Sequence, residues 1–145
     1  MTDFSYFPLS TIPAPYDIVW CRFPAHDALG DPGPKPRPAI VLNCALDNDA
    51  GEGEVQLVYG TSKLKFDRRP RDFFVTNLAE MDACGLHLAT RFDLDNIAWI
   101  PWAKEWFSVI AGYQSPVIGH LTPHQQKLLE LELMHRRSSE LKSTD

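Results

Sequence analysis

The stretch that decides the fold is "RPAIVLNCALDNDAGEGEVQLVYGTS", which runs from Arg37 to Ser62. Its first part, Arg37–Leu46, is almost entirely apolar, which predicts a strand buried on both faces. Asp47–Glu54 collects the Asp, Asn and Gly residues that are typical of a turn. Val55–Ser62 then alternates towards a further strand. The segment therefore predicts two consecutive strands joined by a turn, as in a small antiparallel barrel or sandwich.

The flanking sequence extends this pattern in both directions. Runs rich in β-branched and aromatic residues, separated by Gly, Asp and Pro, are typical of short strands in an all-β domain. The segment Leu78–Leu86 instead predicts one or two helical turns that end near Gly85. The predicted strands are Tyr16–Phe23 before the quoted stretch, and Arg71–Asn77 and one or two strands within His87–Trp102 after it, with Pro101 interrupting or ending one of them.

The C-terminal region carries the signals of an α-helix. Thr122 is suited to the N-cap, Pro123 to the first helical position, and Gln125 to the third position of a capping box. A face of leucines and a methionine follows, which predicts that the helix packs on the barrel. The predicted apolar residues of this face are Leu128, Leu129, Leu131, Leu133 and Met134.

These elements predict a mainly β fold, a small antiparallel β-barrel with a C-terminal helix. The expected organisation is a flexible N-terminal arm over residues 1–15, a barrel with its helix over residues 16–136, and a tail over residues 137–145. The length of 145 residues suits a single domain. No apolar run approaches a membrane span and no signal peptide is visible, so we expect a cytoplasmic protein without a membrane partner.

Charge and cysteine content narrow the function classes. The net charge of −5 argues against a broadly basic nucleic-acid-binding surface, yet five of the 14 Lys and Arg residues lie within Ser62–Arg71. The net charge therefore does not exclude a local basic face that binds nucleic acid. Three widely spaced cysteines without a CxxC pattern indicate small core residues in a reducing compartment.

The approach to the second strand holds a candidate anion-binding residue. Prolines at positions 34, 36 and 38 fix their own φ and bias the preceding residues towards extended backbone. Arg37 should therefore leave the chain at a defined angle at the mouth of the barrel, where a guanidinium suits a phosphate. The alternative is an ordinary proline-rich loop whose arginine points into water.

Three stretches are expected to converge at this mouth. They are the loop that carries His26, Asp27, Asp31, Lys35 and Arg37, the strand end Tyr59–Lys63, and the unit Thr90–Asp95. Arg91 and Asp93 are two apart and so share one face of a strand, although such a pair is also common as a plain surface ion pair. His120 and His124 are four residues apart, but the predicted helix begins between them, and no CxxC or glycine-rich phosphate loop occurs, so no metal or cofactor is predicted. The reaction class that these residues predict is therefore metal-free acid–base chemistry on a phosphate.

The order of the motifs "YDIVWCRF", "GPKPRPAIVLN", "VQLVYGTSK", "TRFDLDNIAWIP" and "LTPHQQKLL" resembles the PemK/MazF family of toxins from toxin–antitoxin pairs. The resemblance runs from about Tyr16 to Leu133 and is strongest to a longer, PemK-like branch. It implies an SH3-like barrel, a homodimer and a cognate antitoxin protein. It also implies a metal-independent endoribonuclease that cleaves single-stranded RNA through attack of the ribose 2′-OH, leaving a 2′,3′-cyclic phosphate.

The resemblance also implies roles for individual side chains. Arg91 and Arg37 would hold the phosphate as charge accumulates, and Asp93 would act as the base, assisted or replaced by His26. Which of His26, Asp27 and Asp31 assists is left open. The predicted substrate-binding residues are Thr61 and Ser62, for the phosphate or a base edge, and Lys63, for a neighbouring phosphate.

A different function class also fits the sequence. A non-catalytic SH3-like barrel that binds a protein or peptide would suit the acidic charge and a cluster of aromatic residues. Packing in the core or in a dimer interface is the other interpretation of those aromatics. They are Trp99, Trp102, Trp106 and Phe107.

Overall fold

Six strands form one antiparallel sheet in the computed structural model, which describes residues 4–25, 27–28, 30–64 and 72–143, with side chains through residue 137. The sheet curls into a half-barrel, with the strand order β4-β5-β3-β2-β1-β6. A short helix follows β4 and a long helix ends the chain. The elements are β1 Asp17–Cys21, β2 Arg37–Asp47, β3 Glu52–Thr61, β4 Phe73–Val75, α1 Leu78–Cys84, β5 Thr90–Pro101, β6 Val117–His120 and α2 Pro123–Ser143.

The stretch that opened the sequence analysis forms the centre of this sheet. β2 and β3 pair along most of their length, from Ala39 opposite Tyr59 to Asp47 opposite Glu52. The prediction of a mainly antiparallel β fold with a C-terminal helix is therefore confirmed. β5 is one continuous strand that ends at Pro101, as one of the alternatives predicted.

Strand β6 was not predicted from the sequence. It has only four residues, Val117–His120, and one of them is Gly119. A Cβ at Gly119 would lie 2.3 Å from the carbonyl carbon of Cys84, at the end of α1. The strand therefore depends on a tertiary contact between backbones, which no local pattern reveals.

Apolar side chains of the central strands alternate between two cores, one on each face of the sheet. Ile18, Ile40 and Val58 point into the first core, on the side of α1 and α2. Their neighbours Val19, Val41 and Leu57 point into the second core, with Trp102, Trp106 and Phe107. These three aromatic residues are buried, which supports the packing interpretation, whereas Trp99 is 46% exposed.

The N-terminal segment covers the second core. Phe4, Tyr6, Phe7 and Ile12 pack against it, and the Phe7 amide donates a hydrogen bond of 3.0 Å to the Trp102 carbonyl. The sequence predicted a flexible arm over residues 1–15. The described part of that arm, residues 4–15, contributes apolar side chains to this core, and its flexibility stays a prediction.

Helix α1 joins the two edges of the curled sheet. It follows the edge strand β4 and packs on β6 at the opposite edge. Asn77 caps its start, and Gly85 ends it in the left-handed conformation, with φ +71°. A Cβ at Gly85 would lie 2.0 Å from the Ile118 carbonyl oxygen, so only glycine permits this contact.

Helix α2 begins with the predicted capping box. The backbone N–H of Gln125 donates to Thr122 Oγ1 at 3.2 Å, and the backbone N–H of Thr122 donates to Gln125 Oε1 at 2.9 Å. The predicted apolar face is divided, because Leu129 is buried and Leu133 packs against the first core, while the other members are exposed. The helix extends to Ser143, through most of the segment expected to be a tail. The exposed members are Leu128, Leu131 and Met134.

Of the helices in the described part of the chain, none is both long enough and apolar enough to cross a membrane.

Candidate functional site

A cavity of about 440 Å³ opens where β2 begins and β3 ends. We call it the Arg37 pocket. Its polar wall carries Lys35, Arg37, Thr61, Ser62 and His87, and its apolar wall comes from β1, β6 and the segment after α1. All three predicted stretches therefore contribute residues to one cavity, the third through Thr90.

Arg37 occupies the first position of β2, between two prolines. The backbones of Arg37 and Pro38 pair with Cys21 and Trp20 of β1, so the strand anchors the base of the side chain. The guanidinium carbon lies 5.9 Å from the centre of the Tyr59 ring, within the range of a cation–π contact. Arg37 is thus held by the sheet on one side and by an aromatic ring on the other.

The hydroxyl groups follow a glycine at the end of β3. A Cβ at Gly60 would lie 2.5 Å from the Pro38 carbonyl oxygen, so glycine lets the ends of β2 and β3 approach closely. Thr61 is buried, and its Oγ1 accepts a hydrogen bond of 3.2 Å from the Lys63 amide. Ser62 is exposed. A buried and an exposed hydroxyl therefore follow each other at the pocket wall.

His87 is a pocket residue that the sequence did not single out as a site. It lies just beyond Gly85, where α1 ends against β6, and it is exposed. Its only sequence signal is its position after the C-cap glycine, which says nothing about the cavity opposite. Its neighbour Thr90 is held by a hydrogen bond of 2.9 Å from Oγ1 to the Leu88 carbonyl.

Arg91 lies in a buried ionic cluster rather than among the residues that line the Arg37 pocket. Its Nη1 donates to Asp72 Oδ2 at 2.7 Å, and its Nε donates to the Lys63 carbonyl at 2.9 Å. The Asp72 carboxylate is fully buried and also accepts from the Leu94 amide at 3.3 Å and from Arg136 at 3.4 Å. Arg91 therefore connects β5 to the backbone at Lys63, and through Asp72 the cluster also holds Arg136 of α2.

Those of the remaining predicted site residues that the structure describes also lie away from this pocket's lining. The Asp93 carboxylate accepts a hydrogen bond of 3.0 Å from the Asp95 amide, and the Lys63 side chain is exposed. Asp27 and Asp31 are exposed loop residues. His26 lies outside the described residues. Arg37, Thr61 and Ser62 are thus the predicted site residues that share the cavity.

The cysteines are poor candidates for nucleophiles. Burial raises the pKa of the Cys84 thiol to about 11, and its hydrogen bond to Gln125 only partly opposes this effect. Burial also raises the pKa of Cys21 and, more weakly, of Cys44. Thiolate is the reactive form, so all three thiols are weakly nucleophilic near neutral pH.

Across the part of the chain that the structure describes, no group of three or more His, Cys, Asp or Glu side chains could hold a metal ion. The Arg37 pocket combines two cations, three hydroxyls and an imidazole, a set that suits a phosphate ester and proton transfer. Neither a scan against protein-family models nor a search of curated proteins finds a match to this chain.

Proposed function

We propose that the protein is an endoribonuclease that cleaves single-stranded RNA without a metal ion, the toxin component of a toxin–antitoxin pair with a PemK/MazF-like, SH3-like barrel. The observation that carries this proposal is the Arg37 pocket, in which Lys35, Arg37, Thr61, Ser62 and His87 line one cavity. The half-barrel sheet with its C-terminal helix also suits such a barrel.

The cleavage step transfers a phosphoryl group within the RNA. The ribose 2′-oxygen loses its proton, attacks the adjacent phosphorus and forms a new P–O bond. The bond from phosphorus to the 5′-oxygen breaks, and that oxygen takes up a proton, so a 2′,3′-cyclic phosphate and a 5′-hydroxyl remain. DNA is not a substrate because it has no 2′-OH.

The pocket residues supply the groups that this step needs. Arg37 offers two parallel N–H donors to the non-bridging oxygens, whose charge grows in the transition state. Thr61 and Ser62 donate further hydrogen bonds to the phosphate. Among the described residues that line the cavity, His87 carries the imidazole, the side chain that most often serves as a general base, so we assign it the 2′-OH proton. For His26, which lies outside the described residues, we propose a different role from the one that the resemblance implied: it donates the proton to the leaving 5′-oxygen instead of assisting the base.

Arg91 acts in this proposal by positioning. Its hydrogen bond to the Lys63 carbonyl holds the chain directly after Thr61 and Ser62. Its pairing opposite Thr61 in the sheet adds to this support. Asp93, which faces Tyr59 across the same strands, is proposed to support the site from outside the cavity. Lys63 is exposed and is proposed to neutralise a neighbouring phosphate of the RNA.

Two protein partners belong to the same proposal. The cognate antitoxin would place an acidic or apolar segment in the RNA-binding groove and so block the Arg37 pocket. A second copy of the chain would form the homodimer. Leu128, Leu131 and Met134 of α2 are exposed at intervals of three residues, which gives the helix an outward apolar stripe suited to a protein contact.

The test is RNA cleavage by purified protein in the presence of EDTA, with the cut ends mapped. We expect the wild type to leave cyclic phosphate ends, and Arg37→Ala to lower the rate by about 100- to 1,000-fold. Arg37→Lys keeps the charge but loses the bidentate geometry, so its rate should fall between the two. Lys104→Ala removes an exposed cation outside the cavity and serves as the matched control.

Equal rates for Arg37→Ala and Lys104→Ala would remove the Arg37 pocket as the site of cleavage. RNA left intact by folded wild-type protein would refute the nuclease. That outcome favours the non-catalytic barrel that binds a protein or peptide.

A further inference from the structure

A second cavity of about 290 Å³ adjoins the Arg37 pocket, and we call it the Tyr59 pocket. Lys35 and Arg37 line both cavities, so the two are neighbours across the same pair of cations. The Tyr59 pocket is also lined by two aromatic rings, those of Phe23 and Tyr59, and by the side-chain amide of Asn96. A molecule whose phosphate binds Arg37 therefore has a compartment beside that phosphate for its next chemical group.

The wall of the Tyr59 pocket is aromatic and cationic. The rings of Phe23 and Tyr59 lie 5.3 Å apart between centroids, at an angle of 58°. The Arg37 guanidinium lies 5.9 Å from the centre of the Tyr59 ring. Aromatic rings and arginine planes are the groups on which proteins stack the unpaired bases of single-stranded nucleic acid.

Asn96 reaches this pocket through an irregularity in β5. Val58 pairs with Ile97, but its neighbour Tyr59 pairs with Asp93, so residues 94–96 bulge out of the ladder. Bulges of this kind redirect side chains and are over-represented next to active sites. The buried ionic cluster anchors this bulge, because the Leu94 amide donates to Asp72 and Asp95 pairs with Arg136.

The Asn96 amide is available to a ligand. No hydrogen bond joins it to another side chain in the described part of the chain, and it is only partly exposed. An amide presents one acceptor and two donors, and an asparagine can pair with the edge of a base through two hydrogen bonds. Stacking and edge recognition are thus both available in one cavity beside the phosphate-binding arginine.

We propose that the Tyr59 pocket binds the base of a nucleotide next to the scissile phosphate, with the base stacked at Tyr59 and its edge read by Asn96. This inference rests on the proposed function and makes Asn96 the residue that determines base selectivity.

The binding test uses short RNA oligonucleotides with a 2′-O-methyl group at the cleavage position, so that they bind without being cut. Each of the four bases, and an abasic residue, is placed in turn on either side of that position, and affinity is measured by fluorescence anisotropy at fixed salt. We expect one base to be preferred on one side. An abasic residue there should weaken binding by roughly 5- to 150-fold.

The variants separate stacking from edge recognition. Asn96→Ala should reduce the preference for that base towards unity, whereas Asn43→Ala, an exposed asparagine away from both cavities, should leave it unchanged. Tyr59→Leu should weaken binding of every oligonucleotide that has a base at this position, and Tyr59→Phe, which keeps the ring, should restore it. Thermal melting establishes that each variant is folded.

Cleavage of unmodified RNA, run in parallel, separates the two proposals. Cleavage by the wild type with a base preference that Asn96→Ala does not alter would overturn the assignment of the Tyr59 pocket and leave the nuclease standing. Base-dependent binding that Asn96→Ala abolishes, without any cleavage by the wild type, would support the pocket and refute the nuclease. Equal affinity for the abasic and normal oligonucleotides would overturn the pocket.

Discussion

The buried pair of Asp72 and Arg91 provides a quantitative test of whether Arg91 is a structural residue. The two side chains are 0% and 7% exposed, and their atoms approach to 2.7 Å. Removing one partner of a buried ion pair leaves the other charge without compensation, which typically costs about 3–5 kcal/mol. We expect Asp72→Asn and Arg91→Met each to lower the free energy of unfolding by about 3 kcal/mol. The lower end applies because Arg136 still contacts Asp72, and the Lys63 carbonyl still accepts from Arg91.

The two substitutions should be strongly coupled. Asparagine keeps an acceptor for the Leu94 amide, and methionine keeps the unbranched stem of the arginine, so both variants mainly remove charge. In the double variant neither charge is left unpaired. Its loss of stability should therefore fall short of the sum of the single losses by about 2 kcal/mol.

Urea unfolding at neutral pH measures all four proteins. With a slope of about 2 kcal/mol per M, each single substitution should move the midpoint down by about 1.5 M. Asp95→Ala is the matched control, because this carboxylate contacts Arg136 but its side chain is 48% exposed, and such pairs contribute at most about 1 kcal/mol. Strictly additive losses, or a cost below about 1 kcal/mol for Arg91→Met, would refute the structural assignment and reopen a direct role of Arg91 at the phosphate.

Three further expectations concern other parts of the molecule. Gly60→Ala should reduce both stability and cleavage, since the new methyl group would lie 2.5 Å from the Pro38 carbonyl oxygen, whereas Gly30→Ala has open space around it and should change neither melting temperature nor rate. The raised pKa of Cys84 predicts a contribution to stability that is fully present below the thiol's ordinary pKa of 9.0 and is lost as pH rises towards 11. Urea unfolding between pH 8 and pH 11 should therefore show the free energy of unfolding falling by about 2 kcal/mol, and Cys84→Ala should reduce this fall. Leu131→Glu on the outward stripe of α2 should dissociate a homodimer that uses this surface without lowering the monomer's melting temperature, and an unchanged mass by light scattering would exclude the stripe as the dimer contact.

The features that the sequence predicted are those set by local chemistry. The alternation and turn residues between Arg37 and Ser62 define β2 and β3, and Thr122, Pro123 and Gln125 define the start of α2. In each case neighbouring residues satisfy one another, so no distant partner is needed to recognise the element.

The features that the sequence did not predict depend on contacts between distant residues. β6 fits only because Gly119 lies against the backbone of Cys84. Asp72 stabilises Arg91 and Arg136, which are far from it in the chain, so its role has no local signal. His87 meets Arg37 in one cavity only because α1 ends on β6. The site residues at the ends of β2 and β3 were thus predictable from the sequence. His87 was not, because it joins them only through the closure of the sheet by α1 and β6.

The closure through α1 and β6 also has a consequence for the order in which the molecule becomes active. The Arg37 pocket is lined by Trp20 of β1 and by Ile118 of β6, so its walls include the first and the last strand of the sheet in chain order. A nascent polypeptide that has emerged from the ribosome only as far as β5 already contains Arg37, Thr61, Ser62 and His87. It still lacks β6, the strand against which Gly85 packs and which thereby positions His87. If the chain is a nuclease, translation itself therefore delays the activity, because an unfinished copy cannot assemble the cavity next to the messenger that encodes it.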